Sequence, residues 1–230
     1  MTQPDSSDTP PLGAQAAVGP VSIKEIRESP RRPGRYLLSL SDGRQLVVGI
    51  AVLGETGATS VGRELSASAV ARLLEEHTIT DLSDRALDYL ARGRRTRREL
   101  ETRLRRREAT PAQIRVALDR LETAGVLSDE SVAQAEAAAR LRRGEAPARV
   151  KQQLRKKGVT GAVVNEAVAD AMRDDGFDER AACLAVATKR ARTLGGTDPV
   201  AASRKLFGFL LRRGYNGGIA RSVVKEVLAQ

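Results

Sequence analysis

Nine arginines fall between Arg92 and Arg107, interrupted by Gly93, Thr96, the stretch Glu99-Leu100-Glu101-Thr102 and Leu104. Guanidinium groups at this density make charge-assisted, often bidentate contacts with phosphates or carboxylates, so the chemistry on offer is anion recognition. With Leu100 and Leu104 taken as the buried stripe of a helix, a step of about 100° per residue puts Arg98 and Arg105 on the outer face and Arg106 on its flank. Further basic positions recur downstream. The candidate binding face comprises Arg94, Arg95, Arg98, Arg105, Arg106, Arg142, Arg143, Arg149, Lys151, Arg155, Lys156 and Arg212. A second role competes for Arg106, Arg107, Lys156, Lys157, Arg212 and Arg213, because cations in the last turn of a helix complement its dipole by roughly 0.3–1 kcal/mol.

Other residues that could do chemistry do not assemble into a site. The segment GETGATS, Gly54 to Ser60, lacks the lysine that a phosphate-binding loop needs after its second glycine, and reads as a flexible turn. Asp174-Asp175 and Glu75-Glu76 are adjacent carboxylates that point in different directions on a helix, without a positioned partner. Cys183 sits in the apolar run AACLAVA, where burial disfavours a thiolate. His77 is the only histidine and Cys183 the only cysteine, which excludes an internal disulfide and a zinc cluster. No catalytic constellation, metal site or cofactor site emerges.

The 39 Lys and Arg against 29 Asp and Glu give a formal charge of +10, which favours an anionic partner such as nucleic acid. Aromatic residues make up only 3% of the chain, a poor supply for a base-stacking surface. No apolar run approaches the roughly 20 residues of a membrane span, and the N-terminus does not resemble a secretory signal. The composition suits a cytoplasmic protein with no membrane attachment.

The elements that must position the basic residues follow from hydrophobic periodicity. Residues 1–19 are rich in Pro, Ser, Gly and Asp without periodicity, and are expected to be a disordered tail. Residues 20–80 predict a β-rich module: VSIKEI, RYLLSL and RQLVVGIAVL favour strands, with Ser41-Asp42-Gly43 as a hairpin turn. A closing helix capped by Ser66 carries Val70, Leu73 and Leu74 and is expected to end near His77. Beyond it the chain reads as helices. LRRREATPAQI, LRKKGVTGAVV and LLRRGYNGGIA, starting at Leu104, Leu154 and Leu210, are three copies of one unit spaced by 50 and 56 positions. Thr96 with Glu99 and Thr110 with Gln113 form capping boxes, the second with proline at the first helical position. Gly158 and Gly214 stand where a helix must stop in the left-handed conformation, while the first copy has Glu108 there. With a further helical segment before each pair, the spacing predicts three-helix copies over 82–127, 128–176 and 177–230. The fold class is mainly α: tandem three-helix repeats in an elongated, curved stack, with a small β-rich N-terminal module.

The motif T-x-x-E-L-x-x-x-L with its basic run (Thr96 to Arg107), LDRLETAGVLSDESVA (Leu118 to Ala133) and RRGEAPARVKQQLRKKGV (Arg142 to Val159) resembles the bacterial RecX family. The likeness covers residues 84–176 by motif, and 20–80 and 177–230 by architecture. The family turn G-x-x-D-D, followed by Phe-Ala, is here Gly125 to Ala133 with Ser128 in place of the first Asp and no Phe; Ser128 is still a competent N-cap. The family also carries glycine where Glu108 stands. The resemblance implies a non-enzymatic regulator of the RecA recombinase, a monomer that binds the RecA filament on DNA and lowers strand exchange, ATP hydrolysis and coprotease activity. The alternative is a sequence-tolerant protein that binds single- or double-stranded DNA, which arginine-rich three-helix units would also serve. Removing residues 1–19 is expected to leave the thermal melting curve and filament modulation unchanged, because nothing in that segment is patterned to dock.

Overall fold

The computed structural model describes residues 20–30, 32–106, 109–195 and 198–229; the expected tail, Arg107 and Glu108 lie outside them. Alternating apolar residues build four strands, β1 (Val21–Glu28), β2 (Arg35–Leu40), β3 (Gln45–Gly49) and β4 (Glu64–Leu65), in the order β3-β2-β1-β4. All pairs are antiparallel, with Ile26 opposite Leu38 and Leu38 opposite Leu46. One face is thereby apolar: Val21, Ile23, Leu38, Leu40, Leu46 and Val48 are buried together with Val52, Leu53, Val70 and Leu73 from two helices.

Those two helices correct the sequence reading. The run RQLVVGIAVL is not one strand: β3 stops at Gly49 and α1 (Ile50–Thr56) begins, turning Val52 and Leu53 into the core. Part of the expected turn GETGATS is the end of α1, which Gly57 terminates at φ 68°. The closing helix does not end near His77; α2 runs over Ala67–Ala91. No glycine or proline interrupts it, and the buried stripe Val70, Leu73, Ile79, Leu82, Ala86 continues through the polar but buried Glu76. His77 has a local duty instead. Its Nδ1 accepts the Val47 backbone N–H at 3.0 Å and so covers the edge of β3.

The chain divides into two compact units between Asp81 and Leu82. The second unit holds α3 (Arg97–Leu104), α4 (Pro111–Thr123), α5 (Asp129–Arg142), α6 (Pro147–Lys156), α7 (Gly161–Asp174), α8 (Glu179–Ala191), α9 (Pro199–Arg212) and α10 (Gly217–Leu228). Both expected capping boxes are present, with Glu99 N–H donating to Thr96 Oγ1 at 3.3 Å and Gln113 N–H to Thr110 Oγ1 at 3.2 Å. Ser128 accepts from Ser131 N–H to start α5. The three-helix arrangement α5–α7 closes around Ala137, Leu141, Leu154, Val164 and Val168, and α8–α10 around Cys183, Leu206, Leu210, Val223 and Val224. In the first copy Ala86, Leu100, Leu104, Ile114 and Leu118 are buried.

Consecutive copies join through helix ends. Thr96, fully buried at the N-terminus of α3, donates its hydroxyl to the Lys157 carbonyl at the C-terminus of α6, 2.7 Å away. One copy later the N-cap is Ala146, which has no hydroxyl, and its backbone N–H reaches the Arg213 carbonyl after α9 at 3.1 Å. In both joints a positive helix N-terminus faces the carbonyls of a negative C-terminus. The approach is close enough to forbid a side chain. A Cβ on Gly158 (φ 91°) would lie 2.5 Å from Arg98 Cβ, and one on Gly214 (φ 90°) 2.4 Å from Arg149 Cβ. The first copy, which no three-helix copy precedes, carries Glu108 at the corresponding position.

Gly125 provides the control, since it is also left-handed (φ 68°) with nothing within 4 Å of its missing Cβ. Gly125→Ala is expected to cost about 1–2 kcal/mol, the backbone penalty alone. Gly158→Ala and Gly214→Ala should each cost more, as urea unfolding of the three variants will measure.

Candidate functional site

The joint between the first two copies carries a groove of about 310 Å³. Arg98, Arg103 and Arg106 line it from the first copy and Lys156 and Lys157 from the second, against the single carboxylate Glu99. Local structure decides what each cation can do. Arg97 and Arg98 occupy the first two positions of α3, where a positive charge opposes the helix dipole. Arg97 is compensated by Asp119 at 2.6 Å, Glu122 at 2.5 Å and Glu101 at 3.4 Å. Burial lowers its affinity for a proton, but Asp119 and Glu122 outweigh this and hold its pKa above the ordinary arginine value. Arg98 has no such partner among the described residues; its aliphatic stem rests on Gly158 and its guanidinium is exposed. Arg106 and Lys156 are exposed and have no ion pair among the described residues either.

Lys157 is different. Its ammonium lies 2.8 Å from Glu136 and 3.7 Å from Glu99, bridging the two copies. Burial acts to raise the Glu136 pKa, yet hydrogen bonds from Lys157 and Arg140 prevail and hold it below the usual carboxylate value.

The joint between the second and third copies has its own groove, of about 340 Å³, lined by Arg143, Arg149, Arg212 and Arg213 with Glu145 and Phe209. Arg213 donates to the carbonyls of Arg143 at 2.7 Å and Gly144 at 3.1 Å, with its guanidinium 5.1 Å above the Phe209 ring. Tyr215, buried, donates its hydroxyl to the same Gly144 carbonyl at 3.0 Å, and burial pushes its pKa up to about 12. Arg149 donates to the Arg212 carbonyl and pairs with Glu145 at 3.5 Å. The Arg212 side chain is exposed and unpaired among the described residues.

The predicted residues therefore divide. Arg98, Arg106 and Lys156 come together at one joint, and Arg143, Arg149 and Arg212 at the other. Arg105 is exposed on a separate surface with Arg115 and pairs with Glu101 at 3.7 Å. Arg142 pairs with Asp175 at 3.4 Å, Arg94 donates to the Ser131 carbonyl at 3.4 Å, and Arg95 to the Arg94 carbonyl at 3.2 Å. Arg155 is exposed and Lys151 half-buried, and neither lines a groove with the others. Sequence reading omitted Arg103, whose guanidinium lies 5.4 Å over Tyr89, from the candidate face. It also read Lys157 and Arg213 as helix-end cations, whereas both reach into the preceding copy. Their alignment as one basic column after Leu154 and Leu210 was the available signal.

Cys183 is buried and its thiol is pushed up to about 11, chiefly by burial, which keeps it protonated. Among the described residues, no group of three or more His, Cys, Asp or Glu could hold a metal ion, and no helix is long and apolar enough to cross a membrane.

Comparison with known proteins agrees with this architecture. Residues 84–121 match the first three-helix domain of RecX and residues 178–224 the third. A Regulatory protein RecX of Amycolatopsis mediterranei is 31% identical over 161 residues, 70% of this chain and 90% of that protein. One of Mycolicibacterium smegmatis is 38% identical over 138 residues, 59% of this chain and 73% of its own. A crystal structure of regulatory protein RecX superposes with a TM-score of 0.69 at 19% identity, covering 91% of this chain and all of its own, which shows a common fold.

The Glu136 link gives a pH signature. Its contribution to stability is complete above the ordinary glutamate value of 4.5 and is lost as pH falls through the lowered folded value. Urea midpoints measured on acidification below pH 4.5 should fall less steeply for Glu136→Gln than for the parent.

Proposed function

The chain belongs to the RecX family, and on that footing we propose that it is a non-enzymatic regulator that binds the RecA–DNA filament in the cytoplasm. On this reading it restrains strand exchange, ATP hydrolysis and coprotease activity. Its relatives carry the name of regulatory proteins. The observation that carries the contact is Arg98, an exposed cation without an ion pair among the described residues, placed against its own helix dipole at the rim of a joint groove. Packing of the stem on Gly158 accounts for a long side chain there but not for its charge, which an external carboxylate or phosphate would use. A second groove at the next joint offers Arg212 in the same register as Lys156. Two sites on one chain, facing a filament whose subunits repeat, gain from effective concentration: once one is engaged the other binds intramolecularly. The three-helix copies 82–127, 128–176 and 177–230 serve as the binding modules, and residues 20–80 as an accessory.

The same cations suit phosphates, so a sequence-tolerant DNA-binding protein is the second reading. Stoichiometry separates the two. A filament regulator lowers the DNA-dependent ATPase of RecA far below saturation of the DNA, whereas a DNA coat acts only near saturation.

Side-chain roles are separated by two variants. Arg98→Gln, Arg106→Gln and Lys156→Gln together, the exposed cations of the first joint groove, should keep the melting behaviour of the parent, each exposed change costing less than about 0.5 kcal/mol, while filament binding weakens and depends less steeply on salt. Lys157→Gln with Arg213→Gln should do the opposite, lowering stability through the lost links between copies with a smaller effect on binding. Filament binding by the triple variant equal to that of the parent would remove the first joint groove from the contact.

A further inference from the structure

The three copies treat one corner, between the second and third helices, in three ways. In the first copy it is filled from within, because Arg97 reaches across to Glu101, Asp119 and Glu122. In the register set by Leu100, Leu104 and their counterparts Leu206 and Leu210, the third copy has Ser203 for Arg97, Phe207 for Glu101, Lys225 for Asp119 and Leu228 for Glu122. The bridging cation and all three of its acids are gone. The second copy places Pro147, Ala169 and Met172 at three of these positions, small or apolar side chains that carry no charge.

The consequence is an open groove of about 690 Å³ between α9 and α10. Its floor is apolar, with Phe207 and Val224, and the exposed Val200 and Leu228 stand at 77% and 39% of full exposure. Its rim carries Arg204, Arg221 and Lys225, all exposed; among the described residues none of them has an ion pair and no carboxylate lines the groove. A cationic rim suits phosphates as well as carboxylates, but the floor offers one aromatic ring, Phe207, among aliphatic side chains, where single-strand readers supply a stacking plane for each of several successive bases. The groove matches a peptide helix with an apolar stripe and flanking carboxylates.

We propose that the α9–α10 groove is a docking site for an acidic amphipathic helix of a partner protein, inserting aliphatic or aromatic anchors between Phe207 and Leu228 while its carboxylates pair with Arg204, Arg221 and Lys225. The first copy shows the same pairing in intramolecular form with its polarity reversed: there the helices supply the carboxylates and the inserted side chain supplies the cation. This inference stands independently of the filament reading, since its residues are not those of the two joint grooves.

The test uses the full chain and a displayed library of random peptides of about four helical turns, ~15 residues. Selection is made on the parent, with depletion on Arg204→Gln/Arg221→Gln/Lys225→Gln, whose exposed changes preserve the fold. Enriched peptides are expected to carry Asp or Glu beside apolar residues at i, i+3 and i+4. Anisotropy of one labelled peptide should show binding to the parent weakened roughly tenfold or more by the triple glutamine variant, the loss of several charge-assisted contacts. A second variant, Ser203→Arg/Lys225→Asp/Leu228→Glu, transplants the filling of the first copy and should abolish binding while melting like the parent. The proposal is overturned if no enriched peptide distinguishes parent from variants, if enriched peptides are neutral or basic, or if a single-stranded oligonucleotide displaces them.

Discussion

The helical unit depends on helix ends meeting helix ends. Where α6 stops, its carbonyls meet the N-terminus of α3, and where α9 stops, its carbonyls meet the N-terminus of α6. Each contact satisfies backbone groups that a buried helix terminus would otherwise leave orphaned, and aligns opposite ends of two dipoles. The left-handed glycines follow from it. Gly158 and Gly214 are needed because a neighbouring residue's Cβ occupies the space where theirs would be. The placement of Arg98 follows too, since its stem packs on the bare backbone of Gly158 and leaves only the guanidinium to solvent.

This arrangement explains why cations of the same type have different fates. Arg97 and Arg98 are adjacent in sequence, yet one is enclosed by carboxylates from α3 and α4 and the other faces outward. Lys156 and Lys157 divide in the same way, with Lys157 bridging to Glu99 and Glu136. At every joint one cation is used to hold the copies together and its neighbour remains available. Charge that is left free and charge that builds are thus interleaved residue by residue, so net charge alone does not report how much of it is unpaired.

Much of the fold was legible because its signals are local. A capping box spans four residues and a glycine stop one, and the repeat appears wherever leucine, basic run and cap recur together. What was hidden involves either distant partners or polar residues in apolar roles. Thr96 and Lys157 are 61 positions apart, and nothing near Thr96 announces that its hydroxyl serves two masters, the cap and the next copy. Glu76 interrupts the apolar stripe of α2 in sequence but not in space, which made one helix read as two. Within the candidate site the presence of a basic face was readable, whereas its division into paired and unpaired cations was not, because Asp119, Glu122 and Glu136 arrive from other helices.

The direction of these joints matters for how the chain is made. In each, the earlier copy contributes a helix N-terminus and the later copy brings the carbonyls that dock on it. A ribosome therefore delivers the receiving surface first. With copies spaced by 50 and 56 residues, and synthesis at roughly 5–20 residues per second, each new copy emerges several seconds after the platform it settles on. Assembly can proceed in the order of translation, each addition covering an exposed hydrogen-bond donor of the one before, the Thr96 hydroxyl and then the Ala146 amide.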